Sequence, residues 1–279
     1  MRRAAMASGV ALVVIGLAGC GAVDRGAAFA DQFRPFLDGR DAVEESSISV
    51  GGGALPFTGS ADVTVTLVDD LSDVEIVREA WEITAHEVDD QVGYGLEVRF
   101  AAENREGECT ITAFSLQVLE AAPDDDELRD DIADRVDHAR AFAALGTGPS
   151  EVEADGSANT LTTRADALAV AAAACEDEDL VESLESLTVA GTLPTGAGSG
   201  SDTTSEATIR GFGDCSWVPD ATAVLQAIGD LGPVGTYSVA FNGYLERPQL
   251  SVSLVPGTVI DPAAPLAIAA DLGVELLFS

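Results

Sequence analysis

Lysine is absent from this chain. All 14 basic residues are arginine, set against 48 acids, for a formal net charge of −34 over 279 residues. A field of that sign repels nucleic acid and anionic lipid headgroups, which excludes a nucleic-acid role. Aromatic residues are scarce at 5%, so the core must rest on Ala, Val and Leu rather than on rings; the 47% apolar content nonetheless suffices to offset chain entropy and excludes disorder of the whole. Histidine occurs twice, at His86 and His138, and cysteine four times, with no pair at metal-ligand spacing, which argues against a zinc site. No G-x-S-x-G elbow, H-E-x-x-H helix or Walker A loop is present. With no catalytic residue, cofactor site or metal site assignable, an enzyme is disfavoured. A carboxylate pair brought together by folding stays open as an alternative, because sequence spacing does not show which acids converge.

At its N-terminus, Met1-Arg2-Arg3 precedes the short apolar stretch Gly9–Leu17, too short for a permanent membrane helix and of the form of a secretory signal. The stretch ends in Leu17-Ala18-Gly19-Cys20, which resembles the lipobox of bacterial lipoproteins. That resemblance covers the first 20 residues only. It implies cleavage after Gly19, diacylglycerol on the Cys20 thiol, and attachment to the outer face of the cell membrane through the lipid. Loss of Arg2 and Arg3 with residues 1–19 would leave 12 arginines against the 48 acids, a charge of −36. Lipidation would also leave three cysteines, Cys109, Cys175 and Cys215, of which two at most form one disulfide. Cys175 and Cys215 are the favoured pair, on the reading that they fall in one structural unit.

After a tether over 20–26, Phe29, Phe33, Phe36 and Leu37 recur at helical spacing, with Pro35 as a kink or restart. Strands are expected around Ile48–Val50 and over Asp62–Val68, where Val63, Val65 and Leu67 alternate with polar residues. Ser72-Asp73-Val74-Glu75 has the form of a capping box opening a helix whose buried face would carry Val74, Val77, Trp81, Thr84 and Val88. Strands Val92–Phe100 and Cys109–Val118 follow, the second with a phase switch between Ile111 and Phe114 that suggests a bulge. The order helix, strand, strand then recurs. A helix carries Leu128, Ile132, Val136, Ala139 and Ala143, and weak strands follow at Glu151–Ala154 and Ala158–Thr162. An Ala-rich helix runs to Cys175, with another helical piece over Asp179–Leu187. Strands Thr188–Thr192 and Ala207–Gly211 flank a Gly/Ser/Thr-rich loop over 196–205. A third round has helices near Pro219 and Pro262 and strands at Thr236–Phe241, Gln249–Val255 and Val274–Phe278. Val63–Val68 and Leu250–Val255 share one alternation of apolar residues with small hydroxyls.

This organisation predicts an α+β fold of repeated helix-strand-strand units, forming two to three ferredoxin-like α/β sandwiches with antiparallel sheets. The units are drawn as 27–120, 121–213 and a shorter 214–279. Several local motifs carry bland readings. Leu55-Pro56-Phe57-Thr58-Gly59 spells a sortase signal but sits far from a C-terminus and reads as an inter-strand turn. Glu151-x-Glu153-x-Asp155-Gly156 resembles the start of an EF-hand loop but has Thr162 at its twelfth position, so Asp155-Gly156 reads as a hairpin turn. The acidic runs at 124–126 and 176–179 suit the positive ends of helices. Both histidines read as solvated. The expected function is a lipid-anchored, non-catalytic envelope protein that displays its modules to another envelope protein. The alternatives are a lipoprotein that binds a small ligand or cation, and last a carboxylate-based envelope hydrolase.

Overall fold

A computed structural model describes residues 25–52, 59–89, 92–121, 126–148, 150–155, 158–177, 180, 186–192, 204–210, 215–241 and 247–279. Cys20 and the rest of the signal segment lie outside the described residues, as do residues 53–58, 156–157 and 196–203. Six helices are described: α1 (Arg25–Asp38), α2 (Asp73–Thr84), α3 (Asp126–Leu145), α4 (Ala167–Cys175), α5 (Trp217–Gly229) and α6 (Ala263–Asp271). The eleven strands are β1 (Val43–Gly52), β2 (Gly59–Leu67), β3 (Gly93–Glu103), β4 (Cys109–Val118), β5 (Glu151–Asp155), β6 (Ala158–Thr162), β7 (Ser186–Thr192), β8 (Thr204–Arg210), β9 (Val234–Phe241), β10 (Gln249–Leu254) and β11 (Glu275–Phe278). The helical piece expected over 179–187 is largely outside the described residues, and Ser186 and Leu187 already belong to β7.

The repeat of a helix and two strands is present, but the expected separate ferredoxin-like sandwiches are not. All eleven strands join one mixed sheet in the order of the chain, β1 to β11. Each hairpin is antiparallel, and each helix then returns the chain to the same end of the sheet, so that the next strand lies parallel to the last. In a ferredoxin-like unit the crossover skips a strand position and closes a four-stranded sheet. Here it lands on the adjacent position, and the sheet continues across residues 120 and 213.

One registered row explains why the sheet stays whole. Phe100, Thr112, Val152, Leu161, Val189, Ala207, Val239, Leu250 and Leu276 are successive partners on β3 to β11. All nine are buried beneath the helices. With strand alternation of period two, a slip of one residue at any step would turn the downstream apolar set to the wrong face. Neighbouring helices from α2 to α6 touch in sequence, and α1 packs on β1 and β2, with Phe29 and Phe33 against Tyr94. All six therefore cover the same face. Consecutive crossovers run on strands of opposite direction yet advance the same way across that face, so their handedness alternates. Among the five crossovers through α2 to α6, at least two are thus left-handed, against the strong preference for right-handed connections.

Local sequence sets the element ends. At α2 the Glu75 carboxylate accepts the Ser72 backbone N–H at 2.9 Å and the Ser72 hydroxyl at 2.6 Å, which realises the Glu arm of the expected capping box. Asp166 accepts the Ala169 N–H at 3.1 Å and caps α4. Helix α1 runs through Pro35 to Asp38 without restarting. The buried residues of α2 are Ile76, Glu79, Ala80, Ile83 and Thr84, not the valine stripe; Val74 is 73% exposed, while Val77 and Trp81 are half-buried. Strand β4 keeps an unbroken register with β3, so the expected bulge is absent; instead Ile111 points to the face opposite the helices and Thr112 to the helices.

Cys175 and Cys215 are joined, with Cα atoms 5.8 Å apart, and Cys109 is a free, exposed thiol. The bond ties the end of α4 to the residues before α5, so it links two successive repeats. The enclosed span of 40 residues sets the chain entropy it removes from the unfolded state. Replacing both cysteines by alanine is expected to lower the unfolding free energy by about 4 kcal/mol, seen as a lower urea midpoint, with a steeper slope because the freed unfolded chain is less compact.

Candidate functional surfaces

Because every described helix lies on one side, the other side of the sheet carries no described helix. Its residues follow from the same register, read on the alternate positions. Thr66, Arg99, Ala113, Glu153, Thr160, Thr188, Thr208, Ala240, Gln249 and Glu275 form one row from β2 to β11. Ile111, Glu151, Thr162, Ala190, Glu206, Ser238, Ser251 and Leu277 form the next, from β4 to β11. Threonine suits a pleated surface that is only half-buried, and three threonines in register, Thr160, Thr188 and Thr208, bridge β6 to β8. Thr188 and Thr208 hydroxyls lie 3.4 Å apart. The charge of this face is acidic. Its carboxylates include Asp62, Glu97, Glu151, Glu153, Glu206 and Glu275, whereas Arg99 is already engaged by Glu97 at 2.6 Å. That hydrogen bond, with Glu151 and Glu153 nearby, raises the Arg99 pKa further above its ordinary value.

Near one end of the face is a hollow of about 650 Å³, lined by Asp62, Thr64, Gly95, Glu97, Ser115, Gln117 and Arg135 among others. Gly95 opens it. A Cβ there would lie 3.1 Å from Gln117 Nε2 and 3.2 Å from Asp62 Oδ1, so the two side chains lean over bare backbone. Strand β5 pairs only with Ile111–Phe114, which leaves the later part of β4 beyond its reach. Arg135 of α3 fills part of that notch, donating to the Ser115 carbonyl at 2.8 Å and to Asp131 at 2.9 Å.

A second hollow, of about 670 Å³, includes Asp69, Asp70, Glu103, Cys109 and Arg140 in its lining. The Arg140 guanidinium pairs with Asp73 and stacks 5.4 Å from the Phe100 ring centre, so it is held by structure rather than free for a ligand. Among the described residues no three His, Cys, Asp or Glu side chains are grouped to hold a metal ion, and no helix is long and apolar enough to cross a membrane.

Two polar clusters escaped the reading of the sequence. His86 is not a solvated position on α2, because that helix ends at Thr84. Its ring stacks on Phe36 with centres 3.6 Å apart, and burial, then the Arg40 charge, lower its pKa below the ordinary imidazole value. Arg40 in turn donates to Glu79 at 2.6 Å and also pairs with Glu82, fastening the α1–β1 turn to α2. The second cluster joins successive repeats. The Tyr237 hydroxyl of β9 donates to Asp166 at 2.9 Å and accepts the Leu168 N–H at 2.9 Å, at the start of α4. Ser205 of β8 accepts the Ala167 N–H at 3.1 Å. Burial, and then the Asp166 charge, push the phenol pKa well above its ordinary value, so Tyr237 is a neutral donor here. Gly191 makes this approach feasible, since a Cβ on it would collide with the Ala165 carbonyl oxygen. The cluster is a buried cap between repeats. A signal for it lay in Asp166 before an Ala-rich helix, but nothing local pointed to Tyr237, 71 residues away.

No family model, curated protein or solved structure matches this chain. Tyr237→Phe is expected to cost about 1–3 kcal/mol of stability, because it leaves the Asp166 carboxylate and the Leu168 N–H short of a partner. Chemical denaturation measures this, and a variant as stable as the wild type would remove the cluster's structural role.

Proposed function

We propose that this protein is a non-catalytic interaction module, held by lipid at Cys20 on the extracytoplasmic face of a cell membrane, that presents its uncovered sheet face to another envelope protein. The observation that carries the reading is the continuous register of polar rows across that face, from β2 to β11. Threonine and serine hydroxyls supply donors and acceptors at regular spacing on a rigid platform, and Glu151, Glu153 and Glu206, which make no ion pair among the described residues, favour a partner with a basic surface. The anchor rests on the lipobox resemblance of residues 17–20 alone. A second reading, a small ligand or cation in the Gly95 hollow, is favoured by the way Asp62 and Gln117 overhang exposed backbone. No cofactor enters either reading.

Charge reversal of Glu151, Glu153 and Glu206 to arginine in the full chain, followed by cross-linking in intact cells, tests the platform. Wild type is expected to capture a basic protein, and the triple variant to lose it while keeping its melting temperature. Capture of nothing by wild type, or equal capture by the variant, contradicts the reading. Cys20→Ser should abolish fatty-acid labelling and send the protein into the medium; retention at the membrane overturns the anchor.

A further inference from the structure

The two edges of the sheet are guarded unequally. Outer strand β1 carries Glu44 and Glu45, a register shift between Val43 and Glu45, and the pair Gly51-Gly52, all of which discourage a further strand. At the opposite edge β11 has the sequence Glu-Leu-Leu-Phe, with no proline and no register shift against β10. Among the described residues nothing pairs with its outer side. Leu277 is 42% exposed on the uncovered face, and Phe278 is 37% exposed on the helix face.

The helix layer at this edge is bare in the same way. Eight of the nine residues of α6, Ala-Ala-Pro-Leu-Ala-Ile-Ala-Ala-Asp, are apolar, yet only Pro265 and Ala269 are buried. Helices α2 to α5 bury five residues each. An apolar helix of that kind is expected to be covered on more than one side. Leu266 and Ile268 are instead exposed, as is Val259 just before the helix. Among the described residues, five of the nine large exposed apolar side chains lie between Val259 and Phe278.

We infer that this edge, β11 with α6, is the contact between two copies of the chain, related by a two-fold axis that pairs β11 with β11 of the second copy. The antiparallel steps inside the chain supply the argument for that occupant. At each of β3–β4, β5–β6, β7–β8 and β9–β10 the two helices that flank the strand pair touch each other, and the β11–α6 edge continues that two-layer surface. Within the sheet, parallel and antiparallel steps alternate without exception, and the step from β10 to β11 is parallel. The next step in that pattern is antiparallel, which is what a two-fold axis at β11 produces. Joining β11 to β1 of a second copy would instead place the apolar edge against a guarded, acidic one.

Strand and helix are each about 14 Å long, so the contact falls at the small end of protein interfaces. Asp261, Asp271 and Glu275 lie at or near it, and each copy carries a charge of −34. The dimer is accordingly weak and tightens as added salt screens the repulsion.

Sedimentation equilibrium of the full chain, with Cys20→Ser and Cys109→Ser to remove the lipid site and the exposed thiol, tests this. The mass should rise from 28.6 kDa to twice that value with concentration and stop there. The midpoint should move to lower concentration with salt. Leu277→Lys and, separately, Leu266→Glu should keep the chain monomeric at its wild-type melting temperature. Val74→Lys, at an exposed valine of α2, should dimerise like wild type. A wild type that stays monomeric, growth beyond two copies, or dimers in both edge variants would overturn the proposal. Leu266 belongs to α6, in the helix layer and away from both the opposite sheet face and the Cys20 anchor, so its arm lets partner capture and dimerisation fail independently.

Discussion

The register of the helix-facing row, from Phe100 on β3 to Leu276 on β11, is the constraint on which everything else in this molecule depends. It keeps an apolar side chain, or the fully buried Thr112, beneath a helix at each of these nine strands. By the period of two, it also decides what the alternate positions show to the outside. The acidic, hydroxyl-rich face and the buried core are therefore one decision made once and repeated. Side-chain clusters between repeats hold the register locally. Asn104 at the β3–β4 turn donates to the Gly148 carbonyl at 2.9 Å, and Thr163 exchanges hydrogen bonds with Thr147 at 3.0 and 3.1 Å.

Much of the secondary structure was legible because alternation in strands and caps on helices are local signals. Strands β2, β3 and β4 and the start of α2 fall where their patterns put them. The face of α2 was misread for a physical reason. That helix has two apolar stripes, and the one with Val77 and Trp81 stays half-buried, with Arg129 of α3 5.7 Å from the Trp81 ring centre. The stripe of Ile76, Ala80 and Ile83 meets the sheet. His86 was misplaced because a helical wheel was extended beyond the point where the helix ends.

Sheet topology was not legible. The order helix, strand, strand, helix, strand, strand is shared by a ferredoxin-like unit and by this continuous sheet. They differ only in whether a crossover lands beside the last strand or skips a position. No residue pattern within a strand records that choice, since the same apolar face serves both. The alternation of crossover hand made the observed outcome the less expected of the two. The uncovered face was hidden for the same reason, because a polar alternate position looks alike on a solvated edge and on a broad platform. Cys175 and Cys215 show the reverse case. Their pairing was read from the sequence on the premise of one unit, and the bond instead spans two repeats.

The claim that the repeats form one sheet is tested most directly by native-state hydrogen exchange at the parallel seams. The sheet-forming amides shared by β4 with β5 and by β8 with β9 should be as protected as those inside the hairpins, and should open with them in the global unfolding step. Fast exchange at both seams, with protection confined to separate groups of four strands, would contradict the continuous sheet and restore independent sandwiches.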